Sequence, residues 1–134
     1  ELAILTDAIQ EILRLTVEAL ENDSDYITRR IEPLEEVIDD MVLHLKDKHT
    51  ARLCQGICSI DSGLIFMDIL TYYERTADQC SSIAMLILSK NNEAIMKNHH
   101  LYLQELHESA DQSYLAEQEN RRAQYLVPLE QIKL

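Results

Sequence analysis

Between residues 27 and 45 the apolar side chains fall on one helical seam. Ile27, Ile31, Leu34, Ile38, Met41 and Leu45 step by four, three, four, three and four residues. That spacing sets all six on one face of an α-helix, whereas a strand would scatter them across both faces of a sheet. The seam is heptad-like and runs to about residue 48, so it also demands helical partners. Pro33 lies inside it. Proline removes a backbone donor and clashes with the preceding turn, which predicts a kink there or a helix start near Glu32.

The flanking segments repeat the theme. Leu2, Leu5, Ile9, Ile12, Thr16 and Ala19 form a stripe that Leu13 and Leu20 widen. It predicts an amphipathic helix of five or six turns, closed by the polar run Asn22-Asp23-Ser24-Asp25, which also offers N-caps for the next helix. A third helix is expected from about residue 64 to 89, with Phe66, Ile69, Leu70, Tyr73, Ala77, Cys80, Ala84 and Ile87 on one side. Between them residues 49–63 are less regular. A short helix over 50–55, punctuated by Gly56, is expected there, then a turn and cap over 59–63. The remainder, about 93–126, carries a weaker stripe of Leu103, Leu106, Ala110, Tyr114 and Leu115. A break is expected near Ser109, with Pro128 closing the element. Two glycines and two prolines in 134 residues cannot furnish the turns of a β-sandwich or a glycine-rich phosphate loop. The expected fold is all-α: one domain over 1–134, an antiparallel bundle of three long helices within 1–90, and a fourth, broken C-terminal helix over 91–134.

Charge narrows the function. Twenty-four acidic residues against twelve basic ones give a formal net charge of −12. Such a surface repels nucleic acid and anionic lipid headgroups and attracts cations. No basic patch offsets it. The longest apolar run, Ile83-Ala84-Met85-Leu86-Ile87-Leu88, is far short of a bilayer span. Glu1 begins inside an amphipathic pattern rather than a signal peptide; because the first residue is not Met, a fragment of a larger protein or a processed chain is expected. Cys54, Cys58 and Cys80, without a secretory signal, read as free, buried thiols of a reducing compartment.

Acidic pairs one helical turn apart are the main chemical feature. Glu35 with Asp39, and Glu74 with Asp78, each project two carboxylates from one face. Glu36 and Asp40, with His44 a turn further on, form a second column. Like charges at this spacing destabilise a helix unless a cation lies between them. If the second and third helices are neighbours, the two pairs compose a four-carboxylate site for Mg, Mn, Ca or Fe. The same spacing also arises on solvated faces, as with Asp7 and Glu11. Glu105-Leu106-His107 misses the Glu-x-x-His spacing of ferritin-type di-iron sites. Cys54 and Cys58 are four apart, not a Cys-x-x-Cys pair, and no serine lies in a nucleophile elbow. Tyr72, Tyr73, Tyr102, Tyr114 and Tyr125 fit core and half-buried packing, and Arg75 fits an ion pair with Glu74. No catalytic constellation is present, and an enzyme is not expected.

Specific stretches carry a family resemblance. They are Leu53-Cys54-Gln55-Gly56-Ile57-Cys58, the run from Gly63 to Leu70, and Glu74-Arg75-Thr76-Ala77-Asp78-Gln79 followed by Ile83-Ala84. This pattern resembles the PhoU-like domain at the C-terminus of bacterial Na⁺/phosphate cotransporter proteins. Glu35-Glu36-Val37-Ile38-Asp39 is similar to the first acidic motif of a PhoU repeat. The resemblance implies a three-helix repeat whose Glu/Asp-x-x-x-Asp motifs, here Glu35, Asp39, Glu74 and Asp78, bind a divalent or iron cation. Gln79 stands where the family often has His. The chain has length for one repeat plus a tail, so a second bundle would come from a homodimer. The implied role is regulatory: a domain on the cytoplasmic side of the bacterial inner membrane that modulates phosphate uptake by contacting the transmembrane transporter region in cis. The alternatives are a separate PhoU-like regulator acting in trans on a transporter or kinase, and a plain carboxylate metal-binding bundle.

Overall fold

A computed structural model of the chain describes residues 1–90, 92–108 and 111–133. Among these residues every regular element is a helix, and the long ones are the three expected from the apolar seams. The first, α1, spans Leu2–Asn22 and ends at Asp23, whose φ of 47° turns the chain left-handed. Ser24 then caps the single-turn helix α2, Asp25–Thr28, by accepting from the Ile27 amide. The polar run therefore both stops one helix and starts the next.

Helix α3 covers Ile31–Cys54. Pro33 stands in its first turn, where its missing N–H leaves no bond unmade, so the proline marks a helix start rather than a mid-helix kink. The helix runs past residue 48 and absorbs the short helix expected over 50–55. Gly56 stops it with φ 69°. The Ile57 amide bonds to Arg52 O and the Gly56 amide to Leu53 O, both at 3.0 Å, closing the last carbonyls in a Schellman turn. Because the helix ends at Cys54, the cysteines do not share a helical face. Cys54 is exposed, Cys58 half-buried and only Cys80 buried, correcting the expectation of three buried thiols.

Helix α4, Ile60–Ser89, starts four residues earlier than expected. Ser59 is its cap, accepting from the Ser62 amide at 3.2 Å. Gly63 is thus not a turn residue but a helical glycine, and a Cβ there would lie 2.6 Å from His49 Nε2. It lets α4 approach α3 closely. The core gathers Leu5, Ile12 and Leu15 from α1, Ile31, Leu34, Ile38, Met41 and Leu45 from α3, and Leu70, Ala77 and Ala84 from α4. Five of the six seam residues are fully buried, and Ile27 half-buried. Leu13 and Leu20, expected to widen the α1 core stripe, instead face outward, as does Tyr72.

The C-terminal segment is broken more often than expected. Asn92 caps α5, Glu93–Lys97, and Asn98 separates it from α6, His99–Glu108. The expected break at Ser109 lies outside the described residues. Asp111 caps α7, Gln112–Arg121. A π-helical turn, Arg122–Leu126, leads without interruption into α8, Val127–Glu130. Pro128 therefore does not close the element. It rides in α8, with the widened turn directly before it, where a proline ring disturbs regular helical bonding. The segment packs on its own bundle through buried Tyr114, Tyr125, Leu126 and Leu129. Charges complete the docking: Arg121 pairs with Glu117 at 2.8 Å and with Glu11 of α1 at 3.4 Å. Arg30 reaches Glu117 at 3.1 Å, and Arg122 pairs with Asp40.

Candidate metal centre

The acidic motifs meet where α3 and α4 lie side by side. Leu34, Ile38 and Met41 turn inward from α3, so Glu35 and Asp39 flank the seam at the α3–α4 boundary. One oxygen from each of Glu35, Asp39 and Asp78 lies within 4.8 Å of the other two. Glu35 is 7% exposed, Asp39 half-buried and Asp78 exposed, so the cluster opens to solvent on the α4 side. Asp39 Oδ1 is buried without a hydrogen-bond partner among the described residues.

Three carboxylates held this closely cannot all ionise in a low-dielectric wall. Burial raises the pKa of Glu35 well above the ordinary carboxylate range, and the charges of Glu32, Asp39 and Glu36 and a hydrogen bond with Asp78 add to it. Asp39 is pushed up to about 6, first by burial and then by the charges of Asp78, Glu74 and Glu36. The donors suit a hard or borderline cation: all are oxygens, one lacks a partner, and a positive charge would relieve the repulsion.

Glu74, the fourth carboxylate singled out from the sequence, takes a different partner. Lys46 Nζ of α3 reaches its Oε2 at 2.6 Å. Lys46, not Arg75, is thus the ion-pair partner of Glu74. The structure brings together three of the four residues and draws the fourth toward a lysine.

A second group adjoins the first. Glu32, one turn before Glu35 and Glu36, is 3% exposed and accepts from Ser81 Oγ of α4. His107 of α6 lies between two carboxylates, with Nε2 2.7 Å from Glu32 Oε1 and Nδ1 3.3 Å from Glu36 Oε1. The helical spacing sets Glu36 in a column with Asp40 and His44. Asp40 instead pairs with Arg122, and His44 Nε2 is buried with no partner among the described residues. Glu32 and His107 were not singled out together, because no helical period links residues 75 positions apart.

None of the curated proteins and none of the solved structures matches the chain. The family model of the PhoU domain matches residues 2–87, a stretch that holds α1, α3, most of α4 and all four predicted ligands but not His107, and the chain accordingly belongs to the PhoU domain family.

Proposed function

We propose that this chain is a regulatory domain that controls phosphate transport, and that it works from the cytoplasmic side of the bacterial inner membrane on a sodium-dependent phosphate transporter. Membership of the PhoU domain family supports the regulatory part of this reading. The observation that carries the mechanism is the three-carboxylate cluster of Glu35, Asp39 and Asp78 with its unsatisfied Asp39 oxygen. A divalent or iron cation held by these three carboxylates, with Glu74 released from Lys46 as a further ligand, would lock α3 against α4. Loading would then stiffen the bundle surface that a partner reads. The role is one of binding and regulation, not of turnover.

A surface suited to protein contact lies on the opposite side of α4. Leu13, Val17 and Leu20 of α1 are 43%, 53% and 56% exposed, and they border a groove with Tyr72 and Ile83 of α4. Contiguous exposed apolar side chains on an otherwise acidic surface favour a protein partner. No helix among the described residues is long and apolar enough to cross a membrane. In the preferred reading the transporter region belongs to the same polypeptide.

The test is sodium-driven phosphate uptake in cells carrying the full-length gene, its Asp78→Asn variant, or a version lacking the region matched to the family. Altered uptake on deletion, reproduced by Asp78→Asn with normal protein levels, is the expected result. Uptake unchanged by the deletion would sink the transport reading. Uptake changed by the deletion but not by Asp78→Asn would leave regulation without the metal. An open reading frame beginning just upstream of Glu1 would favour the separate regulator acting in trans.

A further inference from the structure

We propose that Glu32, Glu36 and His107 form a second, histidine-containing site for a borderline divalent cation such as Zn²⁺, and that the cation pins the C-terminal segment to the bundle. One imidazole nitrogen and one oxygen from each glutamate lie within 4.8 Å of one another. The site differs in kind from the three-carboxylate cluster. An imidazole with two carboxylates favours Zn²⁺, Mn²⁺, Fe²⁺ or Co²⁺ over Ca²⁺ or Mg²⁺. It also joins separate parts of the chain: both glutamates are on α3, and the histidine comes from α6, beyond the residues matched to the family.

Three observations make this more than a chance meeting of acids. Glu32 is buried yet aims Oε1 at the imidazole, while Ser81 fixes its other oxygen. A buried ligand oriented by an outer hydrogen bond is the arrangement metal sites use to hold geometry. Tyr114 supplies the independent sign. It is 6% exposed, its ring centroid is 6.1 Å from that of His107, and its hydroxyl has no hydrogen-bond partner among the described residues. A buried phenol without a partner costs free energy unless something completes its surroundings, and a cation-bound water would do so. Glu32 and Tyr114 also line a cavity of about 280 Å³ that has room for such water.

Without metal, His107 Nε2 and Glu32 Oε1 are in hydrogen-bond contact at 2.7 Å. The cation takes the place of that contact at one ring nitrogen, and the ring's proton is carried by the other nitrogen. Binding therefore replaces a hydrogen bond from α6 to α3 with coordination bonds, without any change of redox state.

The inference does not rest on the transport reading, and different variants test the two. Zn²⁺ is titrated by calorimetry into the full chain, His107→Gln, Asp78→Asn, and a double variant His99→Ala/His100→Ala. His107→Gln keeps a donor for Glu32 while removing the strong ligand, and its melting curve reports folding. The expected result is loss of one Zn²⁺ equivalent, or at least tenfold weaker binding, in His107→Gln alone. Asp78→Asn and the His99/His100 variant should retain it. X-ray absorption of the Zn²⁺-loaded chain should show imidazole nitrogen in the coordination shell, lost in His107→Gln. Hydrogen exchange over 99–108 should slow with Zn²⁺ in the parent chain only. Equal binding by His107→Gln, an all-oxygen shell, or loss confined to the His99/His100 variant would each overturn the proposal. If His107→Gln does not fold, Glu36→Gln takes its place under the same criteria.

Discussion

Asp39 is the residue on which the carboxylate cluster turns. Its pKa rises from an ordinary 3.8 to about 6 in the folded chain. Below the ordinary value both folded and unfolded states hold the proton, and no stability is lost. As pH climbs through the window from 3.8 to about 6, the folded state keeps a proton that the unfolded state releases, so stability falls. Glu35, raised further by burial, extends the fall to higher pH. Asp39→Asn should therefore stabilise the metal-free chain at pH 8, by about 1–2 kcal/mol once solvent screening is discounted. It should also abolish most of the thermal stabilisation by added Mn²⁺. Thermal melts at pH 4.5 and pH 8, with and without the cation, check both statements. A lower melting temperature for metal-free Asp39→Asn at pH 8 would mean that the carboxylate is satisfied by groups already present. The two acidic pairs were legible because each lies within one helical turn, where sequence spacing fixes geometry. The diversion of Glu74 was not, since Lys46 belongs to another helix and nothing in the spacing ties the two.

At the scale of elements, α3 and α4 approach closely where Gly63 meets the ring of His49. Alanine favours helix over glycine by about 1 kcal/mol, so propensity alone says that Gly63→Ala stabilises α4. The close approach says the opposite. His49 is 3% exposed and packs against Phe66 at 5.0 Å between ring centroids, so it has little room to retreat. We expect Gly63→Ala to destabilise the chain by about 1–3 kcal/mol, the usual cost of overpacking. A second change, His49→Ser, should recover part of that loss when added to Gly63→Ala. Urea unfolding of the parent, the two single variants and the double variant tests the coupling; additive effects would show that the ring is not the obstacle. Helix identity was readable from the seam of α3 because burial on one face imposes a period. Boundaries were less readable. Residues 50–54 carry no strong apolar stripe, yet α3 continues through them until Gly56 supplies the left-handed turn. The C-terminal segment shows the same limit, because ion pairs dock much of it and such pairs leave no periodic trace.

Across the whole molecule the outward row of Leu13, Val17 and Leu20 separates contact function from stability. These side chains are already in water, so Val17→Glu should change folding stability by no more than about 0.5 kcal/mol. If this face meets the transporter, the same substitution should alter phosphate uptake as strongly as removal of the domain. A variant that folds normally and leaves uptake at the parental level would move the contact elsewhere. The acidic row along α3 has a different consequence. From Glu32 to Asp40 its neighbours are fellow acids, while from the last third of the sequence Arg122 meets Asp40 and Arg121 meets Glu11 of α1. The polypeptide thus behaves as a polyelectrolyte that supplies some of its own counter-ions, tethered by peptide bonds rather than drawn from solution. Dissolved salt competes with tethered charges at exposed contacts, and its screening length shrinks to about 10 Å at 0.1 M and about 3 Å at 1 M. Rising KCl should accordingly loosen the C-terminal segment before it disturbs α1, α3 and α4, with protease cleavage within α6 or α7 as the earliest sign. Ionic strength would then set how tightly the chain folds its own end back onto itself.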